Sequence, residues 1–310
     1  MLFRSKFLLV DGHALIYRSF FAFPKSFMLP DGQMVNAVYG FARILLTAIR
    51  KIEPTYMAVA FDHPQPTQRH KDFEGYKANR PEMPDDLRPQ IEIIKEVVDA
   101  LNIPKFEIGG YEADDLIGTI NARVEEFGQD LLTVIVTGDQ DMFQLVDDNT
   151  HVYLPGRGKG KQDTEYDAVG VKEKIGVTPE LVIDLKGLMG DSSDNIPGVK
   201  GIGPKTAQAL LDRFGSLSGI YEAVDKKIED EVLTDSVVDK LTKERESALV
   251  SRELATIMKD APVQFQLEDC EVVRYDKEKV VSLFQELNFK TLLSLLPPDQ
   301  FETTVQEALF

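Results

Sequence analysis

A chain of 310 residues, 43% hydrophobic and 28% charged, can bury one large core or two modest ones, which excludes a disordered or fibrous protein and leaves an ordinary globular one. The single cysteine, Cys270, excludes an internal disulfide, and the opening apolar run Phe7 to Val10 is too short for a signal h-region or a membrane span, so a reducing, cytoplasmic compartment with no membrane partner is expected. A formal charge of −17 excludes nonspecific adhesion to nucleic acid unless cations are concentrated locally and part of the acid is neutralised by metal.

Phe7-Leu8-Leu9-Val10 is a continuous apolar run stopped by Asp11-Gly12, as in a strand buried on both faces. A helical pattern runs from about Asn36 to Ile52, and Tyr56 to Phe61 is a second such strand, ending at Asp62. A polar, basic passage follows, then a helix over Leu87 to Leu101. Phe106-Glu107-Ile108 leads into Gly109-Gly110-Tyr111-Glu112-Ala113-Asp114-Asp115, after which Leu116, Ile117, Ile120 and Val124 recur at helical spacing. Glu112, Asp114 and Asp115 thus lie at a helix N-terminus, where the macrodipole eases negative charge. One capping carboxylate is ordinary there; three ask for a cation. Leu132 to Thr137 is a third clear strand, followed at once by Gly138-Asp139-Gln140-Asp141.

Strands alternating with helices predict an α/β fold with a parallel sheet and right-handed crossovers, and ligands on such sheets sit beyond the strands' carboxyl ends. Asp11, Asp62, the Glu112/Asp114/Asp115 cluster and Asp139/Asp141 all follow predicted strand ends, so the fold would gather them on one rim. Like charges that close raise one another's pKa unless cations intervene, and an all-oxygen set suits Mg²⁺ or Mn²⁺ rather than zinc. No His or Cys cluster with zinc spacing occurs. The rim reads as an acidic divalent-metal site.

Past Val152 the character changes. Arg157-Gly158-Lys159-Gly160-Lys161 reads as a solvated basic turn rather than a phosphate contact. From about Val171 helices take over: Pro179 opens one through about Gly187, and Gly190-Asp191-Ser192-Ser193-Asp194-Asn195 is a turn with two more acids. Ile196 to Ala207 is a glycine-rich hairpin running into a helix over Ala207 to Phe214. Glycines admit a ligand close to the backbone and free amides at a helix start favour an anion, so the hairpin reads as phosphate-binding. In the earlier basic passage, Arg69, Phe73, Tyr76, Lys77 and Arg80 recur at helical spacing. On one helix their shared face would offer cations and two rings to an unpaired nucleic-acid strand.

Taken together these stretches resemble the 5′ nucleases, the family of bacterial DNA polymerase I amino-terminal domains, phage relatives and flap endonucleases. The residues that carry the resemblance are Leu9-Val10-Asp11-Gly12, Ala60-Phe61-Asp62, Tyr76-Lys77-Ala78-Asn79-Arg80, Gly110-Tyr111-Glu112-Ala113-Asp114-Asp115, Thr137-Gly138-Asp139-Gln140-Asp141 and Gly190-Asp191-Ser192-Ser193-Asp194-Asn195-Ile196-Pro197-Gly198. It extends from about Phe7 to Pro297. It implies an α/β, PIN-like nuclease core over residues 1–170 with a helical arch at about 63–104. A helix-hairpin-helix (helix-three-turn-helix) region over 171–297 and a tail or linker start over 298–310 would follow. The segment Phe284 to Leu293 resembles the seam where polymerase I continues into its next domain, so a fragment of such a protein or a free-standing paralogue is expected.

The resemblance also implies roles. Asp11, Asp62, Glu112, Asp114 and Asp115 would hold a first Mg²⁺ (or Mn²⁺), directly or through water, and Asp139, Asp141, Asp191 and Asp194 a second. Lys77 and Arg80 would act on the scissile phosphate, with Arg69, Phe73 and Tyr76 beside the threaded strand. Gly198, Lys200, Gly201, Gly203, Lys205 and Thr206 would grip duplex backbone, with a potassium ion bound at the hairpin. Gln68 and Gln140 depart from the family, which commonly places an apolar or aromatic residue at the first position and a basic one at the second. The implied activity is a monomeric 5′-3′ exonuclease and flap endonuclease acting on branched or nicked duplex DNA in Okazaki-fragment processing and repair, near the bacterial nucleoid. A catalytically inactive DNA-binding module and a metal-dependent RNase of the PIN type are the alternatives; the intact acid set weighs against the first and the hairpin against the second.

Overall fold

The computed structural model describes residues 5–127, 130–156 and 161–309; residues 157–160 of the basic turn lie outside them. Six strands form one sheet: β1 (Ser5–Asp11), β2 (Tyr56–Ala60), β3 (Lys105–Phe106), β4 (Leu131–Val136), β5 (Thr150–Leu154) and β6 (Thr164–Tyr166). Their order is β3-β2-β1-β4-β5-β6. β1 to β5 run parallel and β6 turns back antiparallel to β5, so the sheet is not wholly parallel. In the central strand, Leu8 and Val10 enter one core layer and Phe7 and Leu9 the other, all with no exposure. Burial on both faces is why the run reads apolar without alternation.

Between the strands lie α1 (Gly12–Ala22), α2 (Asn36–Ile52), α3 (Gln68–Asp72), α4 (Arg88–Ala100) and α5 (Ala113–Glu125). α2 and α4 bring Phe41, Leu45, Ile94 and Val97 onto the Leu8 face, and α5 brings Ile117 and Ile120 onto the Phe7 face. The chain leaves β1 toward β2 on one side and returns to β4 on the other, which makes the carboxyl ends of β1 and β4 the topological switch point. The sequence pattern passes over α1, because Asp11 both ends a strand and caps a helix, its Oδ1 accepting from the Ala14 amide at 3.0 Å.

Residues 63–87 do not form the expected arch helix. α3 stops at Asp72, Phe73 is extended, and Lys77 adopts a left-handed φ of 54°. Arg69, Phe73, Tyr76, Lys77 and Arg80 therefore share no helical face. The physical reason is burial: Tyr76 sinks into a small cluster with Ile196, Leu254 and Ala255, with Phe73 against it, which a straight helix would forbid.

After β6 come α6 (Ala168–Ile175), α7 (Val182–Met189), α8 (Pro204–Phe214), α9 (Leu217–Asp225), α10 (Asp235–Lys243) and α11 (Arg245–Ala255). They enclose a third core of Leu188, Val199, Ile202, Leu210 and Ile220. The stretch from Ile257, read from the sequence as part of this helical region, instead returns to the sheet. Ile257, Val263 and Cys270 join the α5 layer, and α12 (Lys277–Glu286) sends Val280 and Phe284 into the α2 and α4 layer before the terminal α13 (Gln300–Leu309). Gly118 on α5 makes room for this strap, since a Cβ there would lie 2.6 Å from Ile257. Among the described residues no helix is long and apolar enough to cross a membrane.

Candidate metal-dependent active site

At the switch point Asp11 is buried, and its second oxygen accepts a hydrogen bond from Thr137 Oγ1 at 2.6 Å. The Asp139 amide donates to the same hydroxyl at 2.9 Å, and Asp139 Oδ1 accepts from the Asp141 amide at 2.9 Å. Thr137 thus ties the ends of β1 and β4 together. Asp62 follows β2, with Oδ1 accepting from the Ala113 amide at 2.7 Å and its own amide donating to His13 Nδ1 at 2.9 Å. The first turn of α5 brings Asp114 close enough to Asp11 and Asp139 for their charges to act on it. No hydrogen bond reaches the Asp114 carboxylate from the described residues.

Asp115 stands apart from the other acids. Arg69 Nη2 and the Met258 amide donate to Oδ1 at 2.7 and 3.0 Å, while Arg69 Nη1 and the Glu112 amide donate to Oδ2 at 2.8 and 3.2 Å. A carboxylate has about four lone-pair sites, so Asp115 has none left for a metal. This corrects its expected ligand role. Arg69 is equally saturated: besides Asp115 it donates to Glu112 Oε2 at 3.3 Å and to the carbonyls of Leu254 at 3.1 Å and Thr256 at 2.6 Å. With its five N–H groups engaged and 9% of its surface exposed, Arg69 bolts α3 to α5 and the strap rather than facing DNA. Tyr76, 4% exposed, donates its hydroxyl to Glu112 Oε2 at 3.0 Å, so its ring is not offered for stacking, and Phe73 packs beside it. The sequence placed all three on a DNA-facing surface; burying an aromatic ring and a fully paired guanidinium won instead.

Lys77 and Arg80 do reach the rim. Lys77 Nζ lies 2.8 Å from Glu112 Oε1 and 3.9 Å from Asp194 Oδ2, and Arg80 pairs with Asp194 Oδ1. The whole 75–80 segment is clamped to the acidic turn: the Lys77 amide donates to Asp194 O at 2.9 Å, Asn79 to Ser192 O at 2.7 Å and Asn195 to Gly75 O at 2.7 Å. Lys186 on α7, which the sequence analysis does not single out, bridges Asp141 and Asp191, the latter at 2.6 Å. It lies one turn before the Gly190 break, and no periodicity singles it out. Thr137 and His13 carried no chemical signal of their own either.

Burial, with the charges of Asp62 and Asp139, pushes Asp11 up to about 7 against its bonds from Thr137 and Ala14. Burial and then the charges of Asp11 and Asp139 hold Asp114 well above the usual carboxylate range. Burial and Asp139 push Asp141 to about 7 in spite of Lys186, whereas the same ammonium, overcoming desolvation, holds Asp191 at about 2. Among the described residues no three acids stand close enough to hold an ion as they are placed here, and Lys77, Arg80 and Lys186 pair with Glu112, Asp194, Asp141 and Asp191. The chemistry of the donor set nevertheless fits a hard divalent cation: carboxylate oxygens only, with Asp11 and Asp114 both raised by burial and by the charge of Asp139.

One consequence is measurable without catalysis. Raised carboxylate pKa values mean that the folded, metal-free protein holds protons the unfolded chain releases, so its stability falls as pH rises from about 4 to about 7. A divalent cation binds the charged form and relieves the repulsion. Mg²⁺ is therefore expected to raise the melting temperature more at pH 8 than at pH 5; an equal or smaller rise at pH 8 would count against the rim as the binding site.

The hairpin between α7 and α8 is anchored by Val199 and Ile202 and exposes Lys200, Gly201, Gly203 and Lys205, with Thr206 half-buried. Gly198 has φ 64°, and a Cβ there would sit 2.2 Å from the Gly190 amide, so the turn closes only on glycine. Gly203 precedes α8 with open space around its missing Cβ, leaving the first amides of the helix approachable.

A family model for the 5′-3′ exonuclease N-terminal resolvase-like domain matches residues 6–176, and one for the 5′-3′ exonuclease C-terminal SAM fold matches residues 177–278. DNA polymerase I of Bacillus subtilis (strain 168) is 43% identical over 309 residues, covering 99% of this chain and 34% of that protein. DNA polymerase I of Chloroflexus aurantiacus is 46% identical over 291 residues, covering 93% and 30%. The chain spans about a third of the length of these relatives. The bacteriophage T5 flap endonuclease, solved with DNA and metal ions, superposes with a TM-score of 0.66 at 20% identity, over 91% of this chain and 99% of that one. The catalytic core of Rad2 with DNA substrate does so with a TM-score of 0.59 at 17% identity, over 95% and 92%. At such identities the likeness is one of fold.

Proposed function

The chain belongs to the 5′-3′ exonuclease family, and from that premise we propose that it is a structure-specific 5′ nuclease hydrolysing DNA phosphodiesters to leave 5′ phosphates. The observation that carries the reading is the convergence of Asp11, Asp114 and Asp139 on the switch point, where the charges of Asp11 and Asp139 act on Asp114 and that of Asp139 on Asp11, with no cation among the described residues directly bonded to them. Asp11, Asp62, Glu112 and Asp114 would hold one Mg²⁺ or Mn²⁺, and Asp139, Asp141, Asp191 and Asp194 a second. Divalent cations bound there supply Lewis acidity for activating water and for stabilising the departing 3′ oxygen.

The chain's own residues set the geometry. Thr137 fixes Asp11 and Asp139 in register, the α5 N-terminus presents Asp114, and Arg69 with Asp115 holds that helix against the strap. Lys77 and Arg80, now paired with Glu112 and Asp194, carry the charge that a scissile phosphate would take in exchange. Duplex backbone would lie on the 198–206 hairpin, with an unpaired 5′ end near Lys77 and no base code. The reading takes the protein as a cytoplasmic, nucleoid-associated monomer serving Okazaki-fragment processing and repair. In a longer polymerase it would be the amino-terminal third.

The test is a 5′-labelled flap duplex, a single strand and an RNA hairpin, each incubated with Mg²⁺ and with EDTA. Cleavage confined to the flap junction and 5′ end of DNA, and abolished by EDTA, is expected; metal-independent cutting or a preference for the RNA hairpin would overturn the reading. In the same assay Lys77→Ala should lower single-turnover cleavage about a hundredfold while affinity for flapless duplex changes little. Equal losses in both would reduce Lys77 to a general contact.

A further inference from the structure

The hairpin has a third cation that its sequence does not contain. Lys240, in the last turn of α10, donates from Nζ to the Gly201 carbonyl at 3.1 Å. Its stem lies along the glycine, with Cε 3.2 Å from where a Gly201 Cβ would be, so the close approach depends on the absent side chain. Three other hairpin carbonyls find partners within the fold: Gly198 accepts from Ser247 Oγ at 2.7 Å, Val199 from the Ile202 amide at 3.0 Å and Gly203 from the Ala207 amide at 3.0 Å. The Gly201 carbonyl is met by a tethered ammonium instead.

In the same helical region Lys186, Arg213, Lys226, Lys243, Arg245 and Arg252 each have an acidic partner. Lys200, Lys205 and Lys240 have none among the described residues, nor do Lys172, Lys174 and Lys227; what distinguishes the first three is that two stand on the hairpin and the third is bonded to it. A chain of net charge −17 can hold nucleic acid only where cations are both concentrated and unspent, and this hairpin meets both conditions.

Resting on the reading of the hairpin as the duplex-binding surface, we infer that Lys240 is the third lysine of that surface and that its ammonium takes the place of a monovalent ion at the Gly201 carbonyl. One of its three N–H groups holds the carbonyl, and the other two are free for phosphate oxygens. A potassium ion at that carbonyl would have to displace a like charge fixed there by the chain. A potassium site built on the Gly201 carbonyl therefore does not fit this hairpin, and duplex binding should be indifferent to the choice of monovalent cation.

The experiment measures affinity of the full chain for a flapless duplex across a salt series, in potassium, sodium and choline chlorides at matched ionic strength, with EDTA present. Lys240→Met should weaken binding about fivefold to tenfold at low salt and reduce the slope of log affinity against log salt by about one, and Lys240→Arg should restore most of both. Wild-type affinity should be the same in the three salts. Lys200→Ala serves as the control for the surface itself. If Lys200→Ala weakens binding and Lys240→Met, folded by circular dichroism, does not, the role of Lys240 is wrong while the hairpin reading stands. If neither changes affinity, the hairpin is not the duplex surface and both fall. Potassium binding duplex more tightly than choline at equal ionic strength would overturn the ion replacement.

Discussion

Asp114→Asn is expected to lower single-turnover cleavage of a 5′ flap duplex by about three orders of magnitude, about 4 kcal/mol of transition-state stabilisation, with flap affinity held within about threefold. Asn keeps the size of the side chain and removes its charge. Asp114 receives no hydrogen bond from the described residues and lies under the charges of Asp11 and Asp139, so its carboxylate has no structural duty that Asn would forfeit. The same substitution should make the metal-free protein more stable at pH 8, because it takes a like charge out of the rim, and should blunt the stabilisation by Mg²⁺. Cleavage at the wild-type rate, or a metal-induced melting shift of wild-type size, would sink the assignment of Asp114 to the metal site.

Arg69→Met should cost about 3 to 5 kcal/mol in urea unfolding, since it strands the buried Asp115 carboxylate and leaves two backbone carbonyls without a donor. Asp115→Asn should destabilise comparably, and the double variant should lose much less than the sum, the mark of one shared interaction. Arg80 is the contrast. Its pair with Asp194 is half-exposed, and Arg80→Met should cost about 1 kcal/mol or less while acting on cleavage. A stable Arg69→Met protein with weakened DNA affinity would return Arg69 to the DNA-facing surface expected from its spacing.

Asp115 and Arg69 also mark where sequence reasoning stops. Asp114 and Asp115 are adjacent, equally charged and at the same helix start, and nothing in the order of residues separates them. A helix turns about 100° per residue, so neighbours face different surroundings. Here that rotation leaves Asp114 on the rim and carries Asp115 under α3 and the strap. Spacing likewise suggested one helix for Arg69 to Arg80, but spacing does not contain the price of leaving Tyr76 in water. That depended on Ile196, Leu254 and Ala255, distant in sequence, forming a pocket for its ring.

By itself the sequence determined the layered α/β core, because strands buried on both faces must be almost continuously apolar and Phe7 to Val10, Tyr56 to Phe61 and, but for Thr133, Leu132 to Val136 are. It also determined the rim, because acids that follow parallel strands have nowhere else to converge. These are consequences of local pattern and of chain handedness. What only the tertiary structure decided is how charges are matched across the chain: Lys186 between Asp141 and Asp191, Lys77 on Glu112, Lys240 on Gly201, Arg69 locked to Asp115. Such pairs join residues up to 46 positions apart at distances of about 3 Å, where Coulomb and hydrogen-bond energies vary steeply. A one-dimensional string records which charges exist; only packing fixes which of them meet.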